Sequence, residues 1–93
     1  MNAAQYKHYL HSFRCVVCDV TEGVTYQRDV VQTHHVQDVR DEFSGWALAP
    51  LCVFHHGELH RLRRRGFERA YKLDSVKLLA HTIRLLMEKQ PIF

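Results

Sequence analysis

The chain has 93 residues, enough for one small domain but few enough that a structural metal would matter to its stability. Hydrophobic residues make up 46% and charged residues 25%, which excludes a disordered or low-complexity chain. The net charge of +3 and a pI near 8.9 are only mildly basic, so total charge does not by itself point to a polyanion partner. The apolar stretch Val76 to Met87 is interrupted by Lys77, His81 and Arg84, and the N-terminus with Asn2, Gln5, Lys7 and His8 lacks the apolar core of a signal peptide. The expectation is a cytoplasmic protein with no membrane partner. Three cysteines cannot all pair within one chain, and in a reducing compartment a close pair is better suited to metal ligation.

In chain order, Asn2 to Phe13 carries Ala3, Tyr6, Tyr9, Leu10 and Phe13 at roughly helical spacing and predicts a short amphipathic helix leading into Cys15. Val24 to Val36 is rich in β-branched residues and predicts one or two strands ending near His34 and His35, followed by a polar loop over Gln37 to Gly45. The apolar run Trp46 to Leu51 returns as a second strand, with Pro50 marking its end or an unpaired edge. His55 to Arg65 reads as a helix that Gly66 stops. Asp74 or Ser75 caps a last helix through Lys89, where Val76, Leu79, Ala80, Ile83, Leu86 and Met87 form an apolar stripe. Trp46 and Phe67 are expected in the core. His8, His11 and His81 are expected at the surface or at helix ends.

Five of the eight histidines fall in two groups, His34-His35 and His55-His56 with His60. Cys15-Val16-Val17-Cys18 has the knuckle spacing in which two thiolates meet one tetrahedral ion, and Cys52 with His55 repeats that spacing downstream. Together they predict a closed Cys₃His structural zinc site, whose ion could contribute on the order of 10 kcal/mol to folding. On an ideal helix His56 and His60 share a face, while His55 is turned about 100° from His56. The His56–His60 pair can therefore serve a second, open cation site, with His34-His35 supplying a third ligand and a general base of ordinary pKa about 6.5. Adjacent strand residues point to opposite faces, so both can reach one site only if the strand ends or distorts there.

The order Cys15-x-x-Cys18, His34-His35-Val36 and Pro50-Leu51-Cys52-x-x-His55-His56-x-x-Leu59-His60 resembles phage-type HNH nucleases related to the recombination-enhancement nucleases. The resemblance spans most of the chain and takes in Gly66-Phe67 and Leu73-Asp74 downstream. It implies an α+β fold: a ββα-metal core with a zinc knuckle over about residues 15–65, flanked by an N-terminal helix and a C-terminal helix over about 74–89, in a single domain. It further implies His35 as general base, His34, His56 and His60 as ligands of one catalytic divalent ion, and cleavage of DNA to 5′-phosphate and 3′-hydroxyl ends. A phage or prophage source within a bacterial host would fit. Two departures are plain: no asparagine fills the middle HNH position, and the connecting loop is short and acidic, with Asp38, Asp41 and Glu42.

The leading expectation is thus a metal-dependent endonuclease acting on duplex or branched DNA, with Arg61, Arg64 and Arg65 from the cluster that also holds Arg63 as phosphate contacts. Three imidazoles suit zinc, nickel or manganese, whereas magnesium prefers oxygen ligands. The competing expectation is a non-catalytic zinc-stabilised module that binds nucleic acid or protein. Oligomeric state stays open, with dimerisation through the apolar helices one route to specificity.

Overall fold

The structure is a computed structural model that describes residues 1–22, 30–36 and 43–89. Its order is α1 (Ala3–Leu10), α2 (Val16–Glu22), β1 (Val31–His35), a 3₁₀ turn (Ser44–Trp46), β2 (Leu48–Cys52), α3 (Val53–Tyr71) and α4 (Ser75–Lys89). This is an α+β fold in which an antiparallel hairpin runs directly into a helix. Residues 24–29, in the predicted strand region, and 37–42, which include the acidic loop residues, lie outside the described residues.

Asn2 and Gln5 start α1 with a reciprocal capping box, each side chain satisfying the other's backbone N–H at 2.8 Å. The helix ends at Leu10 rather than Phe13. Tighter bonds from His11 N–H to the His8 carbonyl and from Ser12 N–H to the Tyr9 carbonyl close it, and Phe13 turns into the core. A helix after Cys15 is not what the β-branched Val16, Val17, Val20 and Thr21 favour. Burial of Val16 and Val17 overrides that preference, and the Asp19 N–H bonds back to the Cys15 carbonyl at 3.0 Å.

In the hairpin, Val31 faces Cys52, Thr33 faces Pro50 and His35 faces Leu48. The Val36 N–H bonds the Ala47 carbonyl and the Val53 N–H bonds the Val30 carbonyl, both at 2.9 Å, so the hydrogen-bonded rungs fall on even-numbered residues of β1. Thr33 and Pro50 are then a non-hydrogen-bonded pair, and the imide nitrogen of Pro50 sits on the outer edge of β2. Pro50 thus lies inside the strand without costing the hairpin a bond.

Three further expectations are corrected. The stripe expected on the last helix is not the face α4 buries: Leu78, Thr82 and Leu85 are buried, whereas Val76, Ile83 and Met87 are exposed. Gly66 does not stop α3: the helix breaks at Arg63, resumes, and reaches Tyr71 before Lys72 caps it in the left-handed region. A Cβ on Gly66 would lie 3.2 Å from the Leu62 Cβ, so the glycine permits close approach across the break rather than ending the helix. Trp46 is 42% exposed and stacks on Tyr6 with ring centroids 5.3 Å apart, outside the core. Phe67 is fully buried, together with Leu10, Val16, Val17, Leu48, Leu51 and Leu85. No helix among the described residues is long and apolar enough to cross a membrane.

An ion-pair clasp ties α2 to α4. Arg14 donates to Asp19 and to Glu88, each at 2.8 Å, while Arg84 bonds Asp19 and reaches Glu88 at 2.9 Å. Burial alone would raise the Asp19 carboxyl, but the hydrogen bonds from Arg84 and Arg14 outweigh it and hold the group below the usual carboxylate range. Its contribution is complete above the ordinary carboxylate pKa and is lost as pH falls through the depressed one. Asp19→Asn should therefore lower stability by about 1–2 kcal/mol at neutral pH. Urea unfolding should show that deficit shrink as the medium is acidified below pH 4.

Candidate metal centres

The end of β2 and the starts of α2 and α3 bring four ligands together. Cys15 precedes α2, Cys18 lies in its first turn, and Cys52 is the N-cap of α3, its sulfur accepting the His55 N–H at 3.4 Å. All four residues are buried, and their ligand atoms lie within 4.8 Å of one another. The His55 Nδ1 stands 3.6, 3.4 and 3.2 Å from the sulfurs of Cys15, Cys18 and Cys52, and the Cys18 and Cys52 sulfurs are 3.9 Å apart.

These spacings fit a tetrahedral ion. Zinc bonds of about 2.3 Å to sulfur and 2.0–2.1 Å to nitrogen give tetrahedron edges of about 3.8 Å between sulfurs and about 3.6 Å between sulfur and nitrogen. Burial pushes the Cys15 and Cys18 thiols up, so a cation must supply the drive for thiolate formation. The donor set suits zinc, and four protein ligands leave no position open for substrate.

On the other side of the first turn of α3, His34, His56 and His60 lie near one another, although among the described residues only Cys15, Cys18, Cys52 and His55 bring three or more ligand atoms within reach of one ion. Gln32 and His34, two apart on β1, share the strand face that meets this helix. The Gln32 side-chain oxygen lies 2.7 Å from the His56 Nδ1 and accepts from it, which leaves the His56 Nε2 with its lone pair. That Nε2 is 3.3 Å from the Nε2 of His60, about the nitrogen–nitrogen edge of a tetrahedral zinc. His34 meets His56 edge-on with ring centroids 5.5 Å apart. Burial and the neighbouring imidazoles of His56, His60 and His35 push His34 down to about 4, so it is neutral at pH 7, the form that binds a metal. Burial and His60 likewise lower His56.

His35 is not brought onto that face. The strand stays regular through His35, and pairing continues at Val36, so the exposed His35 ring projects from the opposite side of β1. The arginines also divide. Arg61 pairs with Glu58 at 2.7 Å, Arg64 with Glu68 at 3.4 Å, and Arg65 is exposed. Arg63, which composition alone could not separate from its neighbours, lines with Arg64 a cavity of about 310 Å³ beside His34 and His60. Its backbone, at φ 62° and ψ 172°, occupies a region nearly reserved for glycine, at a cost of about 1–3 kcal/mol. His8 and His11 are exposed, with the His11 Nδ1 bonded to the Val31 carbonyl at 2.8 Å, and the half-buried His81 accepts from Arg84.

Gln32 is the site residue that sequence reasoning missed. The signal was its position two before His34, which places both side chains on one strand face.

Purified chain should hold about one zinc that dialysis does not remove. Cys52→Ser should release it and flatten the cooperative thermal transition, whereas His56→Ala should leave the zinc count and the transition intact, as measured by elemental analysis and circular dichroism.

Comparison with known proteins finds no matching family model, no matching curated protein and no matching solved structure, so what this site does has to follow from its own residues.

Proposed function

We propose that the chain is a metal-dependent endonuclease of HNH type that hydrolyses phosphodiester bonds in DNA. The observation that carries this reading is the second histidine cluster: His34 beside His56, the Nε2 atoms of His56 and His60 3.3 Å apart, and Gln32 fixing the tautomer of His56. A structural zinc module has no need of such a set, because its four ligands are already supplied by Cys15, Cys18, Cys52 and His55.

In this reading His34, His56 and His60 hold one divalent ion and leave further coordination positions open. When bound, that ion polarises the scissile phosphate and offsets charge on the leaving oxygen. Gln32 holds the His56 ring in the ligating tautomer, the support that a metal-bound imidazole needs from its outer partner. His34 lies on the face of β1 that meets His56 and serves as ligand, which leaves proton removal from the attacking water to His35. His34 and His35 project from opposite faces of β1, and β1 is paired on one side only among the described residues. A phosphodiester lying across the free edge of that strand would meet the ion on one side and the His35 ring on the other. Arg63 and Arg64 supply positive charge for the backbone beyond it.

One observation favours a second reading, a non-catalytic zinc-stabilised module binding nucleic acid or protein: His35 does not share the face of the three candidate ligands.

Supercoiled plasmid incubated with the protein across magnesium, manganese, nickel and zinc separates the two. The endonuclease reading expects metal-dependent nicking that His56→Ala abolishes and that His35→Ala slows by about 10²–10⁴-fold. Folded, zinc-loaded protein that leaves plasmid, branched and single-stranded DNA uncut under every ion would transfer the conclusion to the binding module.

A further inference from the structure

Arg63, at the break in α3, lines the cavity beside His34 and His60, at the lower end of the range of small-molecule sites, about 300–1,000 Å³. Its apolar lining is the half-buried Leu59 with Phe67, Leu73 and Leu78, which are almost wholly covered. Among its lining residues Arg63 and Arg64 bring two positive charges and Glu68, which pairs with Arg64, one negative. A pocket with apolar and cationic lining matches a ligand that joins a flat, weakly hydrated ring to an anionic phosphate. A base in an intact duplex is stacked and paired, so a cavity of this size can take a base only from a strand that is unpaired or splayed open.

We propose that this cavity receives one unpaired nucleotide of a DNA strand, its base against the half-buried Leu59 and its phosphate on Arg63, next to the position where the bond is cut. Only the last clause rests on the endonuclease reading; nucleotide binding does not. The substrate is accordingly single-stranded, flap-bearing or branched DNA rather than continuous duplex. Arg63 is the residue to which the geometry gives most weight. Its backbone stands in a conformation that glycine would adopt without strain, so an arginine there costs backbone energy that a glycine would not.

The test uses full-length, zinc-loaded protein without a second added metal, titrated with thymidine 5′-monophosphate and, separately, with inorganic phosphate, and followed by methyl NMR. Saturable nucleotide binding that shifts the Leu59 methyls, and that equimolar phosphate does not displace, is the expected result. Arg63→Gly should weaken nucleotide binding on the order of tenfold and raise the melting temperature, a pairing that a purely structural arginine would not produce. Nucleotide binding no tighter than that of phosphate, or Arg63→Gly protein that melts lower and binds nucleotide as well as wild type, would overturn the assignment. Protein that cuts continuous duplex as fast as single strands and binds no mononucleotide also overturns it while leaving the endonuclease reading standing. Protein that binds the nucleotide but cuts nothing supports the cavity and removes only the endonuclease.

Discussion

Three sulfurs converge on one imidazole nitrogen, and the rest of the molecule is arranged around that meeting point. Cys15 and Cys18 belong to the start of α2, Cys52 ends the hairpin, and His55 lies in the first turn of α3, so three elements are tied where each begins or ends. Turning the His55 Nδ1 toward the sulfurs fixes the rotation of α3 about its own axis. With about 100° per residue, His56 must then point elsewhere, and His60 follows it one turn later. The meeting of His56 with Gln32 and His34 is therefore a consequence of the sulfur site. Loss of the first cluster would leave the second without a reason to form.

Spacing made this much legible in advance. Each pair in the Cys₃His set is separated by two residues, which fixes a local turn, and the four-residue step from His56 to His60 fixes a shared helix face. The parts that stayed hidden depend on tertiary contact. Val16 and Val17 read as turn or strand formers, yet their burial against the core folds them into α2. Gly66 carries the signature of a helix end, but the break falls three residues earlier, at an arginine that no propensity scale would choose. Trp46 has the composition of a core residue and instead covers Tyr6 at the rim, because β2 begins only at Leu48. His35 shows the reverse: strand alternation stated the difficulty in the sequence itself, and the regular pairing of β1 keeps it.

Stability and site geometry pull in different directions along α3. The first segment is anchored by His55 and by the Tyr71 hydroxyl reaching the Glu58 carboxylate at 3.3 Å, while the second segment carries Phe67 into the core. The break at Arg63, where the backbone has a positive φ, falls between these anchors, and Gly66 gives the second segment room to pass Leu62.

Pro50 gives the hairpin a polarity of growth. Its imide nitrogen sits where β2 would offer the central donor to another strand, so the outer rim of β2 lacks its middle rung. Among the described residues β1 keeps an unpaired edge, so an extended polypeptide that added to this sheet would lie along β1 rather than β2, with His34 on one face of that strand and His35 on the other.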